Sequence, residues 1–232
     1  EHRRSGGDSF GPAGATLDSY GGRIRGTIRN RLAYFLQSTN GTLYGDKALA
    51  LSDTRLKGNV KFNDLKSPYF DFTEAYLRAD LSWFNVEFGR ERTLLGTGYS
   101  DRLLLSDNAP VFDFLKLDAR YRSVRFTFLH GSVLGDSAAF PGIQATEPPN
   151  SSKYLALHRI QLSLFNSVNI GASEMVIYQR FSPEFAYLNP VNFYKSGEHS
   201  LRDRDNALLS FDCEFFPFRN YKLYGTWLID DI

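Results

Sequence analysis

The sequence predicts an all-β protein, an antiparallel transmembrane β-barrel of the outer-membrane type, and three observations carry that prediction. Apolar and charged residues alternate with period two along successive segments, the connections between those segments run long then short, and 15% of the chain is aromatic. The segments approach the roughly 9–11 residues that a tilted strand needs to cross a bilayer. A sandwich also has hairpins, but nothing in its packing puts every long loop at one end. No run of about 18 apolar residues is present, which excludes a bundle of membrane helices.

The first alternating stretch, 22–36, reads as one strand. Ile24, Gly26, Ile28, Leu32, Tyr34 and Leu36 fall on one face, and Arg23, Arg25, Thr27, Arg29 and Arg31 on the other. Residues 37–71 then form a long connection expected to cap or enter the lumen, with Asn40-Gly41 as a turn signal and a helical piece around 46–56. Strands at 72–81 and 84–92 pair through a tight turn at Ser82 and Trp83. A second long segment leads to 112–121, and a turn near Arg122 leads to a strand carrying Val124, Phe126 and Phe128. A Gly-, Pro- and Ser-rich connection over 131–152 precedes the pair 153–164 and 169–179. The fourth long connection, 180–206, is likewise expected inside the lumen or over it, and 207–216 with 221–229 make the last hairpin.

This gives about nine strands in a single domain over 1–232, ending on the long-loop side. Bacterial single-chain barrels carry even numbers of strands, so the sequence reads as part of a larger closed barrel. The beginning of the chain has no charged-then-apolar signal, as expected of an exported protein after processing. A net charge of +1 gives no global attraction to nucleic acid, and any electropositive site must be local.

Segment 87–110, EFGRERTLLGTGYSDRLLLSDNAP, resembles the signature of the Wzi-type outer-membrane capsule-assembly family, in which a strand ending in Gly-Arg leads into a Gly-rich loop, a Leu triplet and Asp-Asn-Ala. The likeness continues through FTFLHG at 126–131, KYLALHRIQL at 153–162, 171–194, Glu198-His199, Asp205-Asn206 and YGTWLIDD at 224–231. The resemblance implies a large, internally filled barrel in the Gram-negative outer membrane that helps hold capsular polysaccharide at the cell surface. It also implies that the protein is not an enzyme.

Candidate site residues fall into three groups. Arg23, Arg25, Arg29 and Arg31 could bind acidic sugars, because guanidinium groups recognise carboxylates with paired hydrogen bonds. Alternatively they pair with Glu74, Asp80, Glu87 or Asp118 across the lumen, and this internal ladder is the favoured role. Glu184, Asn189, Glu198, His199, Asp205 and Asn206 share a connection with Tyr187, Phe193 and Tyr194, a composition that serves either a sugar-binding loop or a packed inward one. Asp107 and Asn108, within SDNAP, read as a structural loop.

Catalysis has little support. The carboxylates show no paired spacing across a cleft, and His130, His158 and His199 are scattered, so no metal or cofactor is expected. Cys213 reads as a small wall residue. The expected partners are outer-membrane lipid, surface polysaccharide and other envelope proteins, with no nucleic acid. Two further functions compete: a porin-like channel selecting anions or sugars, and a structural barrel anchoring a larger surface complex.

Overall fold

In the computed structural model, which describes residues 2–4, 14–53, 56, 59, 68–99, 102–106, 109–133, 152–165, 167–201 and 205–230, eleven strands form one antiparallel sheet. The strands are β1 (His2–Arg4), β2 (Gly14–Ile28), β3 (Leu32–Gly45), β4 (Tyr69–Asp80), β5 (Phe84–Glu91) and β6 (Phe112–Tyr121), then β7 (Val124–Val133), β8 (Ser152–Leu164), β9 (Val168–Arg180), β10 (Asn206–Phe215) and β11 (Leu223–Asp230). Each pairs with its neighbours in sequence, and among the described residues β11 does not return to β1 or β2, so the sheet is open. No helix among the described residues is long and apolar enough to cross a membrane, which leaves crossing by strands as a separate matter.

The expected count of nine strands becomes eleven, because 22–36 is a hairpin and β1 adds a short edge. The chain reverses at Arg29 and Asn30, whose φ angles of 50° and 53° are left-handed, and Arg31 N–H donates to Ile28 O at 3.1 Å. Asn tolerates that conformation better than most residues. A three-residue loop keeps Ile28 opposite Leu32, so odd and even positions hold their faces through the reversal. Alternation therefore cannot distinguish this hairpin from a continuous strand.

Asn40-Gly41, expected as a turn, lies within β3 opposite Ser19 and Tyr20. Gly41 is small for a packing reason, since a Cβ there would collide with the Phe70 ring of β4. Helix α1 (Lys47–Ala50) is capped by Asp46, whose Oδ1 accepts from Leu49 N–H at 2.9 Å, within the stretch expected to be helical.

The ladder registers assign every strand residue to a face. One face carries Arg23, Arg25, Gln37, Glu74, Arg78, Glu87, Lys116, Asp118, Arg125, Arg159, Asp212 and Glu214. The other carries Ile24, Leu36, Leu77, Phe88, Ile160, Ile170, Phe211 and Trp227, all exposed. Exposed Tyr121, Phe165, Phe218 and Tyr221 stand at the short turns, and Tyr20, Tyr44 and Tyr69 mark the opposite end of the apolar face. An apolar band flanked by aromatic residues is the surface pattern of barrels in lipid.

The connection between β7 and β8 lies outside the described residues, and the other three long connections divide between the two faces. Ala50 and Leu56 pack on Leu17, Leu43 and Phe70 near the rim of the polar face. Leu104 and Leu105, from the β5–β6 connection, cover Phe112, Phe114, Leu129 and Leu157 on that same face. The β9–β10 connection, expected inside the lumen or over it, packs instead on the apolar face of the sheet. Its helices α2 (Phe185–Leu188) and α3 (Tyr194–Ser200) lie on the apolar face, where Tyr187 and Tyr194 pack on Tyr154, Ala156, Val176 and Tyr178. The reason lies in β8 and β9, whose even-numbered residues bring an aromatic cluster and Glu174 to that face, and these demand cover.

Candidate functional site

Two regions of the polar face combine groups that could engage a ligand. The first spans β2, β3 and β4. Register sets Arg23 beside Gln37 and Gln37 beside Glu74, and the next row holds Arg25, Phe35 and Tyr76. Phe35 and Tyr76 stack, with ring centroids 5.3 Å apart and planes 9° from parallel. Both rings are half-buried, as are Gln37 and Glu74, while Arg23 and Arg25 are exposed. Neither arginine makes a hydrogen bond or ion pair through its side chain among the described residues.

The expected arginine ladder is therefore corrected. Three of the four acids proposed as partners are engaged elsewhere: Glu87 takes Lys116 at 3.4 Å, Asp118 takes Arg125 with an Nε contact of 2.8 Å, and Asp80 accepts from Ser82 N–H at 2.9 Å; Glu74 makes no ion pair with Arg23 or Arg25. Neighbouring strands supply the contacts of Glu87 and Asp118, and the adjacent turn that of Asp80, with less reach than Arg23 or Arg25 would need. Arg29 and Arg31 sit in the hairpin turn, exposed, and do not share the strand face.

The second region lies under the β5–β6 connection, where residues 94–97 lean over β7, β8 and β10 and leave a cleft of about 150 Å³ lined by Arg125, Thr127, Arg159, Gln161 and Glu214. Arg159 is buried and grips the Asp212 carboxylate with both terminal nitrogens, the Nη2 contact measuring 2.9 Å, and also donates to Ser173 at 3.0 Å. Glu214 accepts from the Thr97 hydroxyl at 2.6 Å, from Asn169 at 3.1 Å and from Lys222 at 2.5 Å. Charges here are balanced in pairs, so the cleft is polar without a strong sign. It is about half the ~300 Å³ lower bound of ordinary ligand pockets. Its wall is better described as a scaffold that holds the β5–β6 connection on the polar face.

The candidates from the β9–β10 connection lie across the sheet from the arginines, except Asn206, which opens β10 on the polar face opposite Ile177. Asp205 accepts from Tyr187 Oη at 2.8 Å and pairs with Arg180 at 3.0 Å. Glu198 is buried and pairs with Lys195 at 3.1 Å, and Asn189 Oδ1 accepts from Val191 N–H at 3.2 Å. Glu184 begins α2 and donates its N–H to Tyr178 Oη at 3.1 Å. His199 and Asn206 are exposed. These residues build a packed cover rather than a pocket. Asp107 and Asn108 lie outside the described residues; beside them, Ala109 N–H closes a turn on Ser106 O at 3.3 Å.

Of the three histidines singled out, His158 approaches Glu174 at 3.1 Å and His130 meets Tyr178 Oη at 2.7 Å on the apolar face. No group of three or more His, Cys, Asp or Glu among the described residues could hold a metal ion. Gln37 falls beyond a strand read as ending at Leu36, and Phe35, inside that strand, gains its place in the first region only when the hairpin sets it opposite Arg25. Their signal is the parity they share with Arg25 and Arg23 once the hairpin is recognised.

No curated protein and no solved structure matches the chain. The family model for the capsule assembly protein Wzi matches residues 18–225, which include both polar regions and the outer cover, and the chain belongs to that family.

Proposed function

We propose that the chain forms the wall of an outer-membrane β-barrel that holds capsular polysaccharide at the cell surface, with the patch around Arg23 and Arg25 as the contact. Family membership supplies the assignment to capsule assembly at the cell surface. The two-faced sheet supports the barrel: its exposed apolar face suits lipid, and its charged face suits a wet interior. The observation that carries the binding role is that Arg23 and Arg25, which have no side-chain partner among the described residues, stand beside the stacked Phe35 and Tyr76. An aromatic face receives the C–H side of a sugar ring, Gln37 and Glu74 take hydroxyls, and the guanidinium groups take a uronic or other acidic substituent. No bond is made or broken in this role.

The test is retention of purified acidic capsular polysaccharide by the protein in detergent. Replacing Arg23→Ala and Arg25→Ala weakens binding by about tenfold each, the effect of losing one charge-assisted hydrogen bond of about 1.5 kcal/mol. Arg29→Ala, in the turn, leaves it unchanged. Undiminished binding by the double variant would exclude this patch. The porin-like alternative is separated by planar-bilayer conductance. The inward packing of Leu104 and Leu105 favours a filled interior and hence almost no current.

A further inference from the structure

The apolar face of β7, β8 and β9 carries groups that do not belong in hydrocarbon. His130, His158 and Glu174 all point to the side on which Ile160, Ile170 and Phe211 are exposed. A polar side chain facing lipid without a partner is costly. The β9–β10 connection resolves the conflict by lying over these groups. Glu174 accepts from the backbone N–H of Tyr194 at 2.9 Å and of Lys195 at 2.8 Å, so one carboxylate pins the start of α3 to the outside of the sheet. Tyr187 and Tyr194 meet edge to face with centroids 5.7 Å apart, and Tyr194 lies 4.5 Å from His158.

This cover does not end in a polar surface. Its outward side presents Phe181, Phe185, Val191 and Phe193, between 61% and 84% exposed. From 181 to 194 the only charged residue is Glu184. The exposed apolar band resumes one residue pair below the cover, where Ile160, Ala172 and Phe211 lie in one row. Four large apolar side chains continuous with a lipid-facing band make a different surface from a water-facing loop.

We infer that the β9–β10 connection is a collar on the outside of the barrel, with Phe181, Phe185, Val191 and Phe193 seated in the lipid of the outer leaflet at its interface with water. The inference rests on the membrane-barrel reading proposed above. The collar buries the polar residues of the wall and re-presents an apolar surface to the bilayer. Phe side chains suit that depth, because interfacial segments bury Phe and Leu at the boundary between headgroups and acyl chains.

The test uses the full chain with Cys213→Ala and a single Phe185→Cys or Phe193→Cys, labelled with bimane and reconstituted into phosphatidylcholine vesicles. Both positions are exposed, and heat-dependent electrophoretic mobility checks that each variant is folded. The native Cys213, labelled alone, reports the lipid-facing band, and Arg125→Cys in the Cys213→Ala background reports the polar face. The collar predicts loss of fluorescence at 185 and 193 with lipids carrying a doxyl group near the headgroup, and little loss with aqueous iodide. Iodide quenching at 185 and 193 as strong as at 125, with Cys213 still quenched by doxyl lipid, would overturn the collar alone. Iodide quenching at Cys213 as well would overturn the barrel reading with it. Labels shielded from iodide in native membrane fragments but open to it in pure lipid would identify a protein partner instead, and would also overturn the proposal.

Discussion

At the scale of single residues, Arg159 and Asp212 are the pair on which the polar face depends most. Both are buried, and the guanidinium is gripped from β8 to β10 across β9. Removing one partner strands the other charge, so Asp212→Asn should destabilise the fold by about 3–5 kcal/mol, whereas Arg159→Met combined with Asp212→Leu should recover most of that loss. Urea unfolding in detergent, followed by the mobility shift of the folded form, measures both. Gly171 belongs to the same device, because a Cβ there would collide with the Arg159 guanidinium. Gly171→Val should therefore weaken the fold through Arg159 and lose that effect in the apolar double variant. The sequence shows Arg159, Asp212 and Gly171 only as members of alternating strands. Their partnership spans 53 residues and depends on two registers, which local pattern does not determine. For the same reason Arg23 and Arg25 could be placed on the polar face from the sequence, while their lack of partners among the described residues could not.

At the scale of elements, the strands from β4 to β11 were legible almost to their ends, because a sheet with unlike solvents on its two faces imposes a strict period of two. The hairpin at Arg29-Asn30 was not, since its odd-length loop preserves that period. The β9–β10 connection was visible as a long, aromatic segment, but its side of the sheet was not, because aromatic residues with scattered carboxylates suit either face. Its anchorage gives two predictions. Glu174→Ala leaves the N–H groups of Tyr194 and Lys195 without their acceptor, at about 1–3 kcal/mol for each unsatisfied group, and should make the connection the first site of limited proteolysis. Alkaline titration tests the packing of the two tyrosines. Burial, reinforced by the hydrogen bond to Asp205, pushes the Tyr187 phenol up, and burial with the nearby Glu174 charge does the same for Tyr194. The folded state holds these protons after the unfolded chain has released them near pH ~10. Stability from this source is intact below that pH and falls as pH rises towards the elevated values, by about 1.4 kcal/mol per unit for each group. Ultraviolet absorbance should show the pair ionising last, and together with unfolding.

At the scale of the whole molecule, the account depends on which solvent meets which face. Charge and apolarity are segregated across one sheet from Arg23 on β2 to Glu214 on β10, and among the described residues the β3–β4 and β5–β6 connections pack on the charged side while the β9–β10 connection covers the apolar side where polar residues interrupt it. Lipid outside and water inside explain all three arrangements together. A soluble protein with the same sheet would leave Ile24, Leu77, Phe88 and Trp227 in water, each more than half exposed. Strand β4 offers the most direct measurement, because it alternates without cover from 74 to 79. Six single variants in a Cys213→Ala background, Glu74→Cys, Ala75→Cys, Tyr76→Cys, Leu77→Cys, Arg78→Cys and Ala79→Cys, are spin-labelled in lipid vesicles and their collision rates with oxygen and with an aqueous nickel chelate compared. Lipid on the apolar face and water on the charged face give oxygen-dominated collisions at 75, 77 and 79 and chelate-dominated collisions at 74, 76 and 78. Equal access of the chelate to all six, or the reverse phase, would contradict that arrangement.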